Sequence, residues 1–565
     1  MARKRDTIEC RIGVFTRWVT VALAVLWLHA GSGLAETVLT ADVCIYGGTS
    51  GGVVAAVQAA RSGKSAIILE PGRHLGGMSA SGLSWTDVGS ADRIWVLGGI
   101  AREFYRRVGK HYGQQPDAVF ESPTTRDATR TGYDFPKPPS LSFEPKVAEA
   151  VFNEMATEAK VACHFQSPLR SIVKEKNRIT EITSENGLRI RAQMFIDASY
   201  EGDLMAMADV SFTCGREANA QYGETHNGVQ APVSNPRAGK FDVPVDPYVK
   251  PGLPSSGLLP YMVQAGELGL IGSADDLIQS YNYRVCLTDI PANRIPIRPP
   301  STYESANFDL LARWIEARQA AGKKLTLRDF LKYDPLQNGK YDFNNRWAIS
   351  TDFIGGAHRY PTASAAERVT IARAHEDYLR GLFHFLASDS RVPQGVRDEM
   401  GRFGLCRDEF TDNGGWPHQL YVREARRMVS DFVMTEHHCT GGRAAPDPIG
   451  FGAYGMDIHA VRRIAHEGQA VNEGTRSPAV PAPYPIEYGA VTPKAAECEN
   501  LLVPFALSAS HVAFGSIRME PTFMILSQSA ATAACMAIDG KVPVQRVNYA
   551  SLVQKLKTDG QVLER

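Results

Sequence analysis

Ala41-Asp-Val-Cys-Ile-Tyr-Gly-Gly-Thr-Ser-Gly-Gly-Val-Val-Ala-Ala-Val-Gln-Ala-Ala-Arg61, continued by Ala66-Ile-Ile-Leu-Glu70, decides the fold. Val43 to Tyr46 is a β-branched and aromatic run suited to a buried strand. Gly47 to Gly52 supplies a turn whose backbone can approach a pyrophosphate, and the Ala/Val-rich segment behind it can pack as a helix with its positive end toward that anion. Glu70 follows Gly47 by 23 residues, near the spacing of about 20 at which a carboxylate meets the ribose hydroxyls. Thr49 stands at the middle glycine of G-x-G-x-x-G, so the fingerprint alone is imperfect. The strand before it, the helix after it and the acid closing the second strand supply the context the motif requires, and the segment reads as a dinucleotide-binding unit.

Around this unit the chain is long enough, at 565 residues, for two or three structural parts and a deep cofactor site. Its 61 basic and 61 acidic residues cancel, so no nucleic-acid partner or anionic membrane surface is called for. The N-terminus differs: Arg3, Lys4, Arg5, Arg11 and Arg17 precede an apolar run from Trp18 to Leu28, followed by Gly31-Ser-Gly-Leu-Ala35. This order predicts a signal peptide over residues 1–35, cut after Ala35, and a periplasmic or extracellular protein. An uncleaved anchor is the lesser reading, since 11 apolar residues fall short of the ~20 that span a bilayer. No later stretch is read as apolar enough for a membrane helix, so no integral membrane segment is expected in the mature chain. The nine cysteines show no C-x-x-C or clustered spacing, which gives iron–sulfur and structural zinc sites no support, and no metal is expected. Cys44 reads as a small hydrophobe in the first strand; other cysteines could pair in an exported protein, with no pairing indicated.

Beyond Glu70 a second glycine-rich loop, Gly72-Arg-His-Leu-Gly-Gly-Met-Ser-Ala-Ser-Gly82, leads to a polar, Pro-containing stretch from Gln114 to Pro145. Val147 to Lys160 is helix-like, while Ala162 to Phe165, Ile172 to Ile182 and Arg191 to Ala198 read as strands returning to the first sheet. That return suits a three-layer α/β flavoprotein better than a plain nicotinamide-binding dehydrogenase. A Pro/Gly/Asn-rich stretch from about Gly228 to Pro260 opens a new unit, in which Phe308 to Ala321 and Ala366 to Leu386 are helical. An Ala-rich helix from Thr522 to Ile538 follows the block ending at Pro521. The expected organisation is a first cofactor-binding segment over 36–227, a cap or substrate unit over 228–484, a returning cofactor segment over 485–545 and a tail over 546–565.

Six blocks in order resemble the bacterial FAD-dependent oxidoreductase family, often exported and distantly similar to the flavoproteins of heterodisulfide reductase. They are Tyr46-Gly-Gly-Thr-Ser-Gly-Gly52, Gly76-Gly-Met78, Phe195-Ile-Asp-Ala-Ser-Tyr-Glu-Gly-Asp-Leu204, Gln419-Leu-Tyr-Val-Arg-Glu-Ala-Arg-Arg-Met428, Tyr454-Gly-Met-Asp-Ile-His459, and Ser508-Ala-Ser-His511 with Arg518-Met-Glu-Pro521. The iron–sulfur clusters of the distant relatives are not carried over, because their cysteine spacing is absent. The resemblance implies a three-layer, Rossmann-like FAD-binding fold of the glutathione-reductase type with an inserted α+β cap domain. It implies non-covalent FAD, with Gly47, Gly48, Thr49, Ser50, Gly51 and Gly52 at the pyrophosphate and Glu70 at the adenine end. Gly76, Gly77 and Met78 would pass beside the flavin, Ala198 and Ser199 would close over the cofactor, and Arg518 and Met519 would face the ring. The helix starting near Pro521 would aim its positive end at the flavin N1/O2 edge.

Hydride transfer from an alcohol or amine to a flavin needs a base for the departing proton. His511 is the first candidate, since it lies seven residues before Arg518, and His459 is the second. For both, the plainer alternative is a hydrogen-bonded core histidine. Tyr421 to Met428 reads as a helix with Arg423, Arg426 and Arg427 off its apolar face, where such charges are usually solvated; Arg423 is singled out for contact with substrate or flavin. His437-His438-Cys439 looks metal-like but lacks a partner at ligand spacing. The expectation is an exported enzyme moving a hydride from a small organic or carbohydrate-like molecule to FAD, with an electron acceptor that the sequence does not name. The alternative is redox-neutral, lyase-type or non-catalytic use of the flavin.

Overall fold

In the computed structural model, residues 38–89, 91–115, 140–232 and 239–564 are described, and those from Thr37 onward form one compact unit. The signal peptide expected over 1–35 and most of the polar stretch after Gln114 lie outside the described residues.

Strand β1 (Val38–Tyr46), helix α1 (Ser50–Arg61) and strand β2 (Ala66–Leu69) form the expected strand–turn–helix–strand. A further helix, α2 (Gly99–His111), and α3 (Pro145–Glu158) precede β3 (Ala162–His164), β4 (Leu169–Glu175), β5 (Arg178–Ser184) and β6 (Arg189–Asp197). The sheet runs β3-β2-β1-β6-β5-β4. Its β3-β2-β1-β6 part is parallel, and β5 and β4 are antiparallel to their neighbours. The run read as one strand from Ile172 to Ile182 is the β4–β5 hairpin, because the chain reverses at Lys176, whose φ is 56°. Alternation sends successive β1 residues to opposite sides: Val43 and Ile45 pack with Val53, Val54 and Val57 of α1, while Cys44 and Tyr46 pack with Ile67, Leu69 and Phe195. Both faces are therefore buried over Val43–Tyr46, and the glycine turn leaves from the enclosed carboxyl end of a central strand whose first residues are exposed or half-buried.

The second sheet, drawn from residues 285–406, is antiparallel throughout. It consists of β7 (Val285–Thr288), β8 (Arg294–Ile295), β9 (Leu331–Pro335), β10 (Lys340–Asn345) and β11 (Gly404–Cys406), in the order β9-β10-β7-β11-β8. Helices α4 (Asp309–Ala320) and α5 (Ala365–Ser388) accompany it. The chain then returns to the first sheet through β12 (Leu501–Leu502), parallel to β6, and continues into α6 (His511–Ile517) and α7 (Glu520–Gly540), which packs against α1. Small residues allow that approach: Ser527 and Phe505 stand where a side chain on Gly51 would go.

Two sequence expectations are corrected here. Helix α7 is long and apolar enough by composition to cross a membrane, contrary to the reading that no later stretch is, yet 89% of its most apolar window is buried inside the protein. The stretch Tyr421–Met428 is not a helix. Tyr421 bridges Asn282 and the Arg427–Met428 pair joins Phe212–Thr213, so backbone groups that a helix would use internally are spent on other segments. All eight described cysteines are free; Cys286 and Cys406 face each other across β7 and β11 with their sulfurs 3.8 Å apart.

Candidate active site

The glycine turn is held from three sides. Gly47 N–H donates to the Leu69 carbonyl (2.8 Å), and Ala198 N–H donates to the Tyr46 carbonyl (2.8 Å). Thr49 caps α1: its Oγ1 accepts from Gly52 N–H (3.1 Å) and donates to the Ala198 carbonyl (2.9 Å). Thr49 therefore binds the turn to the 198–199 segment, which gives the irregular position in the fingerprint a structural cause. Gly47 has φ +99°, and a Cβ on Gly52 would sit 1.9 Å from the Gly47 carbonyl oxygen, so neither position admits a side chain. Glu70 accepts from Gly48 N–H (2.6 Å) and Gly72 N–H (2.5 Å), and burial pushes its carboxyl up to about 7.

Beside this turn lies an acid that the sequence reading passed over. Glu520, the first residue of α7, accepts from Ser50 Oγ (2.5 Å), Ser79 Oγ (3.3 Å) and Tyr200 OH (2.7 Å). Tyr200 OH in turn accepts from Met78 N–H (2.9 Å). One buried carboxylate thus joins the starts of α1 and α7 to the Gly77–Ala80 turn, and burial raises it to about 7. The positive end of α7, expected to complement the flavin, already carries this acidic group in its first turn.

The catalytic candidates lie in one hydrogen-bonded network. His459 Nδ1 is 2.7 Å from Asp352 Oδ2, and its Nε2 is 3.1 Å from Asp457 Oδ2. Arg423 donates from Nη2 to Asp352 Oδ1 (2.9 Å) and from Nη1 to the Ser280 carbonyl. Arg518 donates to Tyr421 OH (2.9 Å) and to the Asp457 carbonyl (2.8 Å). Gln279 accepts from His459 N–H (3.2 Å) and donates to Glu424, whose carboxylate also meets His511 Nδ1 (2.8 Å). Glu217 completes the far end, accepting from His511 N–H (3.0 Å) and from Arg427 (2.7 Å). Burial works against the Asp352 carboxyl, but Arg423 and His459 hold it below its ordinary value.

Short backbone bridges bring these distant segments together: Tyr281 pairs with Phe353, Asn282 with Tyr421, and Ser280 N–H donates to the Ala460 carbonyl. Arg423 and Arg427 are buried and paired, so the reading of solvated charges is overturned; the bridged, non-helical backbone turns both side chains inward. His459, Asp352 and Asp457 border a cavity of about 100 Å³, walled also by Asn345, Trp347 and Thr475. His511 is enclosed, with only 1% of its surface exposed. His437 and His438 bond to the Gly223 carbonyl and to Thr435.

These residues fit FAD. The glycine turn leaves no room for side chains where a pyrophosphate would lie, Glu70 stands at the end of β2, and the buried Arg518 Nε–H has no partner among the described residues. A turn shaped for a pyrophosphate and, in the same compact unit, a buried acid-and-arginine network beside a small cavity are features that a dinucleotide-dependent enzyme requires. The sequence matches the FAD dependent oxidoreductase family over residues 42–556, and the chain belongs to that family; its cofactor is FAD. No curated protein matches the sequence. Solved structures with partial similarity include L-amino acid deaminase from Proteus vulgaris, at 16% identity over 32% of this chain and 54% of that one, with a TM-score of 0.24. Another is a 3-ketosteroid-delta4-(5alpha)-dehydrogenase from Rhodococcus jostii RHA1, at 14% identity over 32% of this chain and 50% of that one, with a TM-score of 0.20. This chain therefore spans about half the length of each.

Proposed function

We propose that this FAD dependent oxidoreductase is exported and oxidises a small, hydroxylated, carbohydrate-like molecule, with His459 taking the substrate proton. One observation carries the reading: His459, backed by Asp352, borders a cavity whose walls offer Asn345, Thr475 and Ser477 for hydroxyl groups and Trp347 for a sugar face. FAD would be held by Gly47 to Gly52, Glu70, Gly76 to Met78, Ala198, Ser199, Arg518 and Met519, and when bound it supplies the hydride acceptor. Asp352 accepts the Nδ1–H of His459, while Nε2 faces the Asp457 carboxylate at 3.1 Å, so Nε2 takes a substrate proton only when that partly exposed carboxylate turns aside. Arg423 acts as a positioning residue, because it reaches His459 only through Asp352. His511 holds the same relation to Glu424, but deeper in the protein. We read the first sheet as a glutathione-reductase-type cofactor fold and the unit carrying the second sheet as a cap that excludes water.

The test is an anaerobic screen of sugars, alcohols and amines. A sugar or polyol should bleach the flavin absorbance; turnover without bleaching would support the redox-neutral alternative and overturn hydride transfer. Export rests on the basic, apolar and small-residue order of residues 3–35. N-terminal sequencing of native protein should begin near Glu36, and intact Met1 in the cytosol would refute it.

A further inference from the structure

Cys286 of β7 and Cys406 of β11 lie 120 positions apart in sequence, yet their sulfurs are 3.8 Å apart. Among the described residues they are the one pair of cysteines in contact. Register brings them together. The antiparallel strands pair Thr288 with Gly404 and Leu287 with Leu405, and one further step along the same register sets Cys286 against Cys406. Opposed residues of antiparallel strands hold their Cα atoms about 4.5–5.5 Å apart, within the roughly 4.4–6.8 Å that a disulfide spans. Cys406 Sγ–H donates to the Cys286 carbonyl (3.5 Å), so this side chain already leans onto the opposite strand.

We propose that Cys286 and Cys406 are joined by a disulfide in the mature protein. The inference rests on the export proposed above, because disulfides form and persist in oxidising compartments. The surroundings decide when the bond forms. Trp85, Leu336 and Phe410 pack with both cysteines in one buried cluster. Contact with Cys406 and burial push the Cys286 thiol well above its ordinary range, so in the finished fold it keeps its proton and does not attack. Oxidation therefore precedes closure of the cluster. One cysteine, as thiolate, attacks the disulfide of a donor of the thiol-oxidase or oxidised-glutathione class, giving a mixed disulfide and one donor thiol. The second then attacks the first sulfur, which forms the Cys286–Cys406 bond and releases the second donor thiol. The two cysteines give up two electrons and two protons, and the donor's disulfide takes them as it becomes two thiols. The bond closes a loop that carries α4, β9, β10 and α5, and it fastens β11, which has only three residues. It also lies where the loop beyond Met78 rests on the second sheet: Trp85 Nε1–H donates to the Pro335 carbonyl (3.2 Å), and Gly82 meets the Arg284 carbonyl with no room for a side chain.

The test is disulfide mapping of the native flavoprotein. Cells are lysed in an alkylating agent, which blocks accessible thiols before air can oxidise them; the holoprotein is purified, denatured in fresh alkylating agent and digested without reductant. Mass spectrometry should find the Cys286 and Cys406 peptides joined, lighter than the separate thiol peptides by two hydrogens and parted by reductant. Cys406→Ala should lose the joined species and carry alkylated Cys286; a Cys286 joined to any other cysteine overturns the assignment. N-terminal sequencing of the same sample separates the two proposals. A chain beginning near Glu36 with both cysteines alkylated overturns the bond and leaves export standing. A cytosolic chain retaining Met1 overturns export, and refolding that protein with FAD in mixed oxidised and reduced glutathione then decides the bond: joined peptides uphold it, and alkylated ones overturn it.

Discussion

In the glycine cradle, the contacts that shape the turn itself are local, Glu70 reaching back 22 positions to Gly48 and Thr49 capping a helix three residues away, and Ala198 and Glu520 then fasten it from distant parts of the chain. In the polar network the contacts are all made across the chain. His459 meets Asp352 over 107 positions, Arg423 meets the same acid over 71, and His511 meets Glu424 over 87. The cradle is specified by what the backbone must do, and the residue that does it is glycine. The network is specified by charge pairing in a buried setting, where removing one partner leaves the other uncompensated. Substitutions in the cradle should therefore act on the cofactor, and substitutions in the network on chemistry.

The largest effect is expected at Gly52. A Val there would drive its Cβ into the Gly47 carbonyl, and the purified variant should carry no flavin on absorbance of the denatured supernatant. Wild-type flavin content would break the distinction at once. Glu70→Ala comes next. Losing a charged hydrogen-bond acceptor costs about 1.5–3 kcal/mol, so FAD affinity should fall about 10–100-fold in equilibrium dialysis, while FMN, which has no adenosine ribose, should be unaffected.

Glu520 sharpens the comparison because it joins both regions. Its folded carboxyl lies near 7 against an ordinary value of 4.5, so the folded chain holds a proton that the unfolded chain has released. Its contribution is whole below about pH 4.5 and is lost as pH rises through 7, up to about 3 kcal/mol. Glu520→Gln should raise the thermal midpoint of the apoprotein at pH 8 and leave it nearly unchanged at pH 4.5. An equal shift at both values would show that the carboxyl is not raised.

The cradle could be read from the sequence because its signals are local: a strand run, glycines, an Ala-rich helix and an acid at fixed spacing. The same locality explains the misreading of Tyr421–Met428, whose spacing suits a helix but whose backbone is claimed by Asn282 and by Phe212–Thr213. His459, Arg423 and Arg518 were legible as polar residues within motif blocks, and the fold brings them into one network. Asp352, Gln279 and Glu217 carried no such mark, since nothing near them in sequence distinguishes an acid destined for a buried pair. Asp457 and Glu520 each sit one or two positions from a candidate residue, so inspecting the acids inside the Tyr454–His459 and Arg518–Pro521 blocks would have found them.

Proton removal by His459 is the central claim, and the most direct measurement is the rate of anaerobic flavin bleaching by a substrate found in the screen, compared between wild type, His459→Ala and His511→Ala. Loss of a general base should slow His459→Ala by about 10²–10⁴-fold with its oxidised flavin spectrum preserved, and His511→Ala should be slowed less. Wild-type bleaching in His459→Ala, with the loss appearing in His511→Ala instead, would contradict that claim and move the chemistry to the Glu424 end of the network.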